Sequence, residues 1–166
     1  MDKKKAAALP ALSKTVLETD TNDADATVLE LDELWSFVLR KANKAWIWIA
    51  LCRKTRQVVA YAVGDRSEKT GQKLWEAITQ RISCRALLYR FLGRLSGSYS
   101  QREQHTAVGK ETGETAHVER WNNTLRQRLA RFVRKTLSFS KSMFMHDACL
   151  RLFLHRYNRE RVSILM

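Results

Sequence analysis

The stretch VLELDELWSFVLRKANKAWIWIALCRKTRQVVAYAVGD, residues 28–65, decides the fold of this chain. It contains three runs rich in β-branched and aromatic residues, a composition typical of β-strands: 28–38, 45–52 and 57–65. Short polar connectors, RKANK (40–44) and RKTR (53–56), separate the runs. Because short connections join neighbouring antiparallel strands, the stretch predicts a three-stranded antiparallel meander.

Beyond the meander, one helical pattern is followed by a segment without a clear period. Residues 66–80 predict a helix with Ser67 as a candidate N-cap. Its apolar face carries Leu74, Ala77 and Ile78. Residues 79–104 mix leucine and arginine without a period of two or of about 3.6, so they are atypical for a segment that should cross a sheet. Residues 105–114 predict a short strand and turn.

The stretch TAHVERWNNTLRQRLARFVRKT, residues 115–136, has a strong helical period. Apolar residues recur at steps of 3, 4, 4 and 3, which predicts the buried face of a helix: Val118, Trp121, Leu125, Leu129 and Phe132. SFSKS (138–142) interrupts this pattern. A further helix is predicted after it, with these core residues: Met145, Leu150, Phe153, Leu154 and Tyr157.

The charge balance indicates a polyanionic partner. The 166 residues include 30 Lys and Arg against 17 Asp and Glu, a net charge of +13, and such an excess favours nucleic acid or an anionic surface. No run approaches the roughly 18 apolar residues of a membrane span, so no membrane partner is expected. Three widely spaced cysteines form neither a zinc pattern nor a disulfide framework, which favours a cytoplasmic location.

Composition divides the chain into three parts. Residues 1–27 contain the single proline and the acidic patch ETDTNDADAT (18–27), and they are predicted to form a flexible linker. Residues 28–158 form the predicted folded domain, and residues 159–166 a C-terminal tail. A linker at the start of the chain suggests that a further region is normally attached upstream.

Asp32 is the first candidate site residue. Glu30, Asp32 and Glu33 interrupt an apolar strand, which is costly unless the carboxylates are solvated or bind a cation. Glu30 and Asp32 occupy alternate positions and therefore share one face. Two readings stay open: an exposed sheet face, or a metal-binding carboxylate on the first strand of a nuclease-like sheet.

Glu119 is the second candidate, near the start of the helix predicted in 115–136. It could stabilise the positive end of the helix dipole, with Thr115 and His117 nearby. Alternatively it pairs with Asp32 to bind divalent cations, because hard cations prefer several carboxylate oxygens and phosphodiester chemistry commonly uses two such ions.

Basic and amide side chains surround Glu119 and continue along the chain. Arg120, Gln127, Arg131 and Arg134 follow helical steps of 7, 4 and 3 and form a predicted basic stripe. The full set of candidate nucleic-acid contacts is Arg120, Asn123, Arg126, Gln127, Arg131, Arg134, Lys135 and Lys141. No acid lies between Glu119 and Asp147, so DNA contact is favoured over a merely solvated face. The histidines 117, 146 and 155 are interpreted as surface or packing residues rather than ligands.

Long strings of this sequence resemble the catalytic part of IS-one family transposases of bacterial insertion sequences. They are LELDELWSFV, WIWIALCRKTRQVVAYAVGDRS, HTAVGKETGETAHVERWNNTLRQRLARFVRKTLSFSKS and LFLHRYN, which span most of residues 28–158. The resemblance implies an α/β fold with a mixed, five-stranded, ribonuclease H-like sheet flanked by helices. It also implies a DDE-type enzyme in which Asp32 and Glu119 match the first aspartate and the glutamate.

The same resemblance implies cofactors and partners. Mg²⁺ or Mn²⁺ would support cleavage and strand transfer of DNA, on the element's terminal inverted repeats and on target DNA. An upstream zinc-finger and helix-turn-helix region would recognise the ends, so we expect this chain to be the downstream, catalytic reading frame. A homo-oligomer and association with the bacterial nucleoid are expected at the level of the family.

The family's second aspartate has no counterpart in residues 79–104. One permissible codon set for LLYRFLGRL (87–95), read one base later, encodes Tyr-Thr-Asp-Phe-Trp-Glu-Gly-Tyr, which is family-like. Two compensating frameshifts, near residues 77–79 and 101–104, would therefore have placed Arg90 and Phe91 where the aspartate belongs. We expect the activity of this copy to be low or absent.

Two other functions stay open. The chain could be a non-catalytic module that binds DNA or inhibits a transposase through its basic helix. It could also be a ribonuclease H-like nuclease acting in repair or on RNA. The string VERWNNTLRQR (118–128) favours transposon origin over repair.

Overall fold

The computed structural model describes residues 8–18, 28–79, 86–89, 105–107 and 115–166. The strands within these residues are β1 (Val28–Val38), β2 (Arg40–Cys52), β3 (Val58–Gly64), β4 (Ala86–Tyr89) and β5 (His105–Ala107). The helices are α1 (Glu68–Thr79), α2 (Ala116–Arg128) and α3 (Met143–Leu165). Single 3-10 turns are formed by Leu12–Thr15 and Ala130–Phe132.

The strands form one mixed sheet in the order β3-β2-β1-β4-β5. β1 pairs antiparallel with β2, and β2 pairs antiparallel with β3, which confirms the predicted meander. β4 runs parallel to β1, and β5 runs parallel to β4. The predicted mixed α/β class is therefore confirmed, and β1 is the central strand.

The first turn of the meander lies earlier than the sequence predicted. The predicted connector 40–44 belongs to β2, where Lys44 pairs with Phe37. The chain reverses at Leu39, which adopts a left-handed φ of 65° and whose N–H donates to the Ser140 carbonyl at 2.8 Å. Exposed polar residues can continue a strand through backbone pairing alone. The turn predicted from composition was therefore in the wrong place.

Helices cover both faces of the sheet. Leu74 and Ile78 of α1 pack with Leu31 of β1 on one face. Leu125 of α2 and Leu150 of α3 belong to the core on the other face. The core residues predicted for α3 are buried, or half-buried in the case of the first and last: Met145, Leu150, Phe153, Leu154 and Tyr157.

α2 is shorter than its apolar spacing predicted. The helix ends at Arg128, because Leu129 is extended with φ −125° and ψ 99°. The 3-10 turn Ala130–Phe132 then brings Phe132 into the core. Helix over residues 129–132 is therefore a wrong prediction. A 3-10 turn buries side chains at a similar spacing, so periodicity alone did not reveal the helix end.

Part of the segment predicted as a flexible linker packs on the domain. Leu12 and Thr15 are buried. Gln57 donates through Nε2 to the Thr15 carbonyl at 2.9 Å, and Asn158 donates through Nδ2 to Thr15 Oγ1 at 2.9 Å. The structure differs from the prediction here because the acidic patch 18–27 dominated the composition, whereas the packed residues precede it.

The atypical segment 79–104 contributes a strand to the sheet. Within it, Ala86–Tyr89 forms β4, and Tyr89 pairs with Leu31, the residue before Asp32. Arg90 and Phe91, where the missing aspartate was expected, lie outside the described residues. β5 agrees with the strand predicted at the start of residues 105–114, while the predicted turn beyond it lies outside the described residues.

No helix among the described residues is long and apolar enough to cross a membrane. Cys52 and Cys149 are free thiols. They are buried in the cores on opposite faces of the sheet, so no disulfide joins them.

His146 is a packing residue, one of the two roles predicted for it. Its side chain is buried, and its ring lies 4.6 Å from the ring of Phe132. Nδ1 is 3.1 Å from Ser140 Oγ. Burial lowers the pKa of His146 to about 4, and the nearby Arg131 adds to this shift. The folded protein therefore holds this ring neutral.

The His146→Gln variant is expected to lose less stability than the wild type when the pH is lowered. The pKa is about 6.5 in the unfolded chain and about 4 in the folded protein, so the unfolded state binds more protons between these values. The contribution of His146 to the free energy of unfolding is therefore fully present above the pKa of the unfolded chain. It decreases, by up to about 3 kcal/mol, as the pH falls to the pKa of the folded protein. Urea unfolding across this range measures it; a variant that loses stability as steeply as wild type contradicts the expectation.

Candidate active site

β1 presents two carboxylates on the face covered by α2. Glu30 and Asp32 occupy alternate positions, and both accept hydrogen bonds from α2, which confirms that they share a face. Glu33 lies on the opposite face and forms an ion pair with Arg66 at 2.5 Å. The central strand thus directs two of its three acids toward one helix.

Glu30 caps α2 from the neighbouring sheet. Its side chain is fully buried. Oε2 accepts hydrogen bonds from the backbone N–H groups of His117 at 3.1 Å and Val118 at 3.0 Å, and Oε1 accepts from Arg53 Nε at 3.1 Å. Thr115 occupies the N-cap position without a side-chain cap bond. A carboxylate at this end also interacts favourably with the helix dipole.

The exposed-face reading is therefore wrong for Glu30. A buried carboxylate requires compensating partners, and here they come from two distant parts of the chain, α2 and Arg53. Sequence reasoning missed this role. The available signal was an acid at an inward-facing position of an apolar strand.

Asp32 contacts the helix that carries Glu119. Asp32 Oδ2 accepts a hydrogen bond from Asn122 Nδ2 at 2.6 Å, and Oδ1 accepts from the Glu33 N–H at 2.8 Å. Glu119 precedes Asn122 by three residues in α2, and residues at this spacing are neighbours on a helix surface. The structure therefore brings the helix surface that carries Glu119 against Asp32.

Asn122 is a site residue that the sequence did not reveal. It is buried within α2. Its Nδ2 is bonded to Asp32, whereas its Oδ1 is buried without a hydrogen-bond partner. Unsatisfied buried polar atoms are rare in folded proteins and call for an explanation, such as a functional role. Within the described residues, Asn122 Oδ1 is such an atom.

Arg126 adds a positive charge near the Asp32 carboxylate. It is half-buried one helical turn after Asn122. Burial lowers the pKa of Arg126, Arg134 lowers it further, and Asp32 opposes the shift. A cation thus lies within electrostatic reach of the Asp32 carboxylate.

The candidate nucleic-acid contacts do not form one helical stripe. Arg120, Asn123, Arg126 and Gln127 lie on α2, whereas Arg131 and Arg134 follow its end at Arg128. A continuous helical stripe is therefore a wrong prediction. Most members of the set are nevertheless exposed, while two are half-buried: Arg126 and Arg131. Exposed cations can contact a phosphate backbone without sharing one helix face.

The described residues contain no group of three or more His, Cys, Asp and Glu side chains arranged to hold a metal ion. Asp32 and the amide of Asn122 meet at the junction of β1 and α2, and Glu119 lies three residues before Asn122 in the same helix. His117 lies near Glu30 instead. Burial lowers the pKa of His117; Glu30 opposes this shift, and Arg56, Arg53 and Arg120 add to it.

Comparison with known proteins decides the family. Residues 26–159 match the IS1 transposase family, which covers most of the chain. The chain belongs to the IS1 transposase family. The resemblance noted in the sequence to IS-one elements is therefore confirmed, and the chain is related to insertion-element transposases.

Several relatives of this IS1 transposase are InsB proteins of insertion elements. The iso-IS1n protein InsB of Shigella dysenteriae is 37% identical over 142 residues, covering 80% of this chain and 97% of the relative. The IS1 protein InsB of Shigella flexneri is 33% identical over 132 residues, covering 76% of this chain and 92% of the relative. An IS1 protein InsB of Escherichia coli K12 is 33% identical over 136 residues, covering 76% of this chain and 72% of the relative.

Proposed function

We propose that this IS1 transposase chain carries a DDE-type DNA strand-transfer site built on Asp32 and Glu119, within a ribonuclease H-like fold. The observation that carries the proposal is the hydrogen bond between Asp32 Oδ2 and Asn122 Nδ2, which joins the central strand to the helix of Glu119 across 90 residues of sequence. The strand order β3-β2-β1-β4-β5 supports the proposed fold, because it places an acid-bearing strand at the centre of the sheet.

The donor set fits a divalent cation in ligand type. Mg²⁺ and Mn²⁺ prefer oxygen ligands, and Asp32, Glu119 and Asn122 all supply oxygen. The Oδ1 of Asn122, which accepts no hydrogen bond, supports this assignment. Such ions activate the attacking oxygen and stabilise the leaving oxygen in phosphodiester chemistry. The residues of this chain would hold the ions and, through Arg126, the phosphate.

The proposed substrate is DNA, at the terminal inverted repeats of the element and at the target site. The exposed cations around α2 and after it support this partner, because phosphate neutralisation supplies much of the affinity of DNA-binding proteins. We also propose that an upstream zinc-finger and helix-turn-helix region recognises the element ends, that the enzyme acts as a homo-oligomer, and that it works in the bacterial cytoplasm on nucleoid DNA.

We further propose that this copy is impaired through loss of the second aspartate. Two carboxylates neutralise a pair of divalent ions less well than three, and the nearby Arg126 and Arg134 disfavour the ions further. The missing carboxylate was expected at Arg90, the residue after Tyr89. β4 pairs Tyr89 with Leu31, next to Asp32, which supports an aspartate at that point of the chain.

Asp32→Asn and Glu119→Gln are expected to abolish stabilisation by divalent metal. If Mn²⁺ is present at roughly ten times its dissociation constant, binding stabilises the wild type by about 1.4 kcal/mol, which corresponds to about 3–5 °C in melting temperature. Each variant removes one carboxylate and should show almost no shift. Thermal denaturation with and without Mn²⁺ measures this without relying on activity.

Glu68→Gln is the matched control, since Glu68 is exposed at the start of α1, on the other side of the sheet. It should retain the full Mn²⁺ shift. Equal Mn²⁺ shifts in Asp32→Asn and in wild type would exclude Asp32 as a ligand.

A non-catalytic DNA-binding or transposase-inhibiting module is the second candidate function. It is favoured by the exposed cations Arg120, Arg134, Lys135 and Lys141, which can bind DNA without the carboxylates. Under this alternative, DNA affinity is the same in wild type, Asp32→Asn and Glu119→Gln, and no metal stabilises any of them.

A further inference from the structure

We propose that four arginines at the turn between β2 and β3 form a second contact for the DNA backbone, beside the Asp32 and Glu119 site. This arginine cluster consists of Arg53, Arg56, Arg120 and Arg161. The inference rests on the proposed function for the identity of the ligand, a DNA phosphate. The nucleic-acid contacts predicted from the sequence do not include three of its members, Arg53, Arg56 and Arg161.

The cluster is assembled from three elements. Arg53 and Arg56 lie in the turn that joins β2 to β3, and Arg161 of α3 donates through Nε to the Thr55 carbonyl of the same turn at 3.3 Å. Tyr157 of α3 donates through its hydroxyl to the Arg56 carbonyl at 2.9 Å. The turn is therefore fixed against α3.

Glu30 ties this turn to the start of α2, where Arg120 is exposed. Its carboxylate accepts from Arg53 Nε and from the first N–H groups of α2, so its oxygens already have partners. Burial lowers the pKa of Arg56; Glu30 opposes this shift, and Arg161, Arg53 and Arg120 add to it. Arg53, Arg120 and Arg161 thus lie within electrostatic reach of the Arg56 guanidinium, and Glu30 is the carboxylate that opposes them, which leaves an excess of positive charge.

Arg56 shows that the cluster has a structural cost. Its φ is 60°, in the left-handed region that glycine and asparagine adopt more readily. Its Nη1 is buried without a hydrogen-bond partner. Holding a large side chain in this backbone conformation costs on the order of 1 kcal/mol, and such strain concentrates at functional positions. Asparagine at this position would be easier to accommodate, so the arginine side chain needs another explanation.

Phosphate is the ligand that the chemistry of the cluster favours. A guanidinium presents paired N–H donors that match two phosphate oxygens, and it stays charged at any physiological pH. Glu30 precedes Asp32 by two residues, a distance of roughly 6.6 Å along a strand. The carboxylate that Arg53 contacts thus lies on the same strand as the candidate active site, and one DNA strand is proposed to contact both places.

Salt-dependent binding of a DNA duplex tests the cluster in the absence of divalent metal. Each lost phosphate contact should reduce the slope of log affinity against log salt by about 0.9. We expect this reduction for Arg56→Asn, whose new side chain suits the left-handed backbone, and for Arg161→Ala. The double variant should lose about twice as much. Fluorescence anisotropy with a duplex ending in the element's terminal repeat, titrated at several salt concentrations, measures the slope.

Arg159→Ala is the matched control, because it removes one exposed charge from α3 two residues before Arg161. It should keep the wild-type slope. Slopes equal to wild type in Arg56→Asn and Arg161→Ala would overturn the cluster, as would equal losses in all three variants or a wild type that shows no salt-dependent binding.

The two proposals fail separately in these experiments. A reduced slope in Arg56→Asn supports the cluster even if Mn²⁺ never stabilises the protein, in which case only the metal site fails. Conversely, a Mn²⁺ shift that depends on Asp32, together with unchanged slopes, overturns the cluster alone. Thermal denaturation of each variant verifies that it is folded before its slope is compared.

Discussion

Glu30→Ala should lower the free energy of unfolding by about 3 kcal/mol, because it leaves a half-buried guanidinium and two helix N–H groups without their acceptor. The side chain of Glu30 is 0% exposed and that of Arg53 is 24% exposed. We expect the lower end of the range for broken buried pairs, since Arg53 can recover part of its hydration. For a domain of this size the melting temperature should fall by about 6–12 °C.

Urea denaturation followed by circular dichroism measures this loss. Glu160→Ala is the matched control: Glu160 pairs with Arg128 at 2.6 Å and Arg156 at 2.9 Å, but all three side chains are substantially exposed. Exposed pairs contribute about 0–1 kcal/mol, so the control should change little. If Glu30→Ala unfolds at the same urea concentration as Glu160→Ala, Glu30 does not hold α2 on the sheet.

Restoring the second carboxylate should have the largest effect on activity. Replacing residues 79–102 by the sequence encoded one base later would place an aspartate at position 90. Outer-shell partners of a metal ligand are worth about 10–100-fold in metal affinity or activity, so a ligand itself should be worth at least about 100-fold. We therefore expect little or no Mg²⁺-dependent strand transfer from the chain as it stands, and clear products from the restored chain.

The assay uses terminal inverted repeats as substrate, with the upstream DNA-recognition region supplied. The restored chain carrying Asp32→Asn is the control and should again be inactive. Robust products from the present chain would contradict the proposed impairment. The nucleotide sequence gives an independent answer, because the frameshift hypothesis requires the shifted frame across these codons to encode an Asp-Phe-Trp segment.

The antiparallel meander and the buried faces of α1 and α3 could be read from the sequence. Strand composition and helical spacing are local properties, and the apolar residues that produce them are the ones that pack in the cores. Element ends were less predictable. Leu39 and Leu129 change the chain direction at positions where neither residue type signals a turn. At Leu39 a tertiary hydrogen bond from its N–H to the Ser140 carbonyl holds the backbone, and local sequence does not predict such a contact.

The candidate site was predicted only in part. Asp32 and Glu119 stood out through the family resemblance, but neither the contact of Asp32 with α2 nor the burial of Asn122 follows from spacing. Asn122 adjoins the apolar face predicted for α2, and its hydrogen bond to Asp32 exists only after β1 and α2 pack together. The polarity of an isolated residue does not reveal whether it will be paired inside a protein.

The sequence by itself determined the family, the basic character of the chain, the three antiparallel strands and the identity of two candidate catalytic carboxylates. The tertiary structure alone decided what Glu30 does and which arginines meet. Glu30 could have been exposed or bound to metal, and it became a helix cap because its strand position faces the start of α2. Arg53, Arg56 and Arg161 lie near one another because packing between elements sets the distances between their charges. Local sequence patterns do not predict those distances.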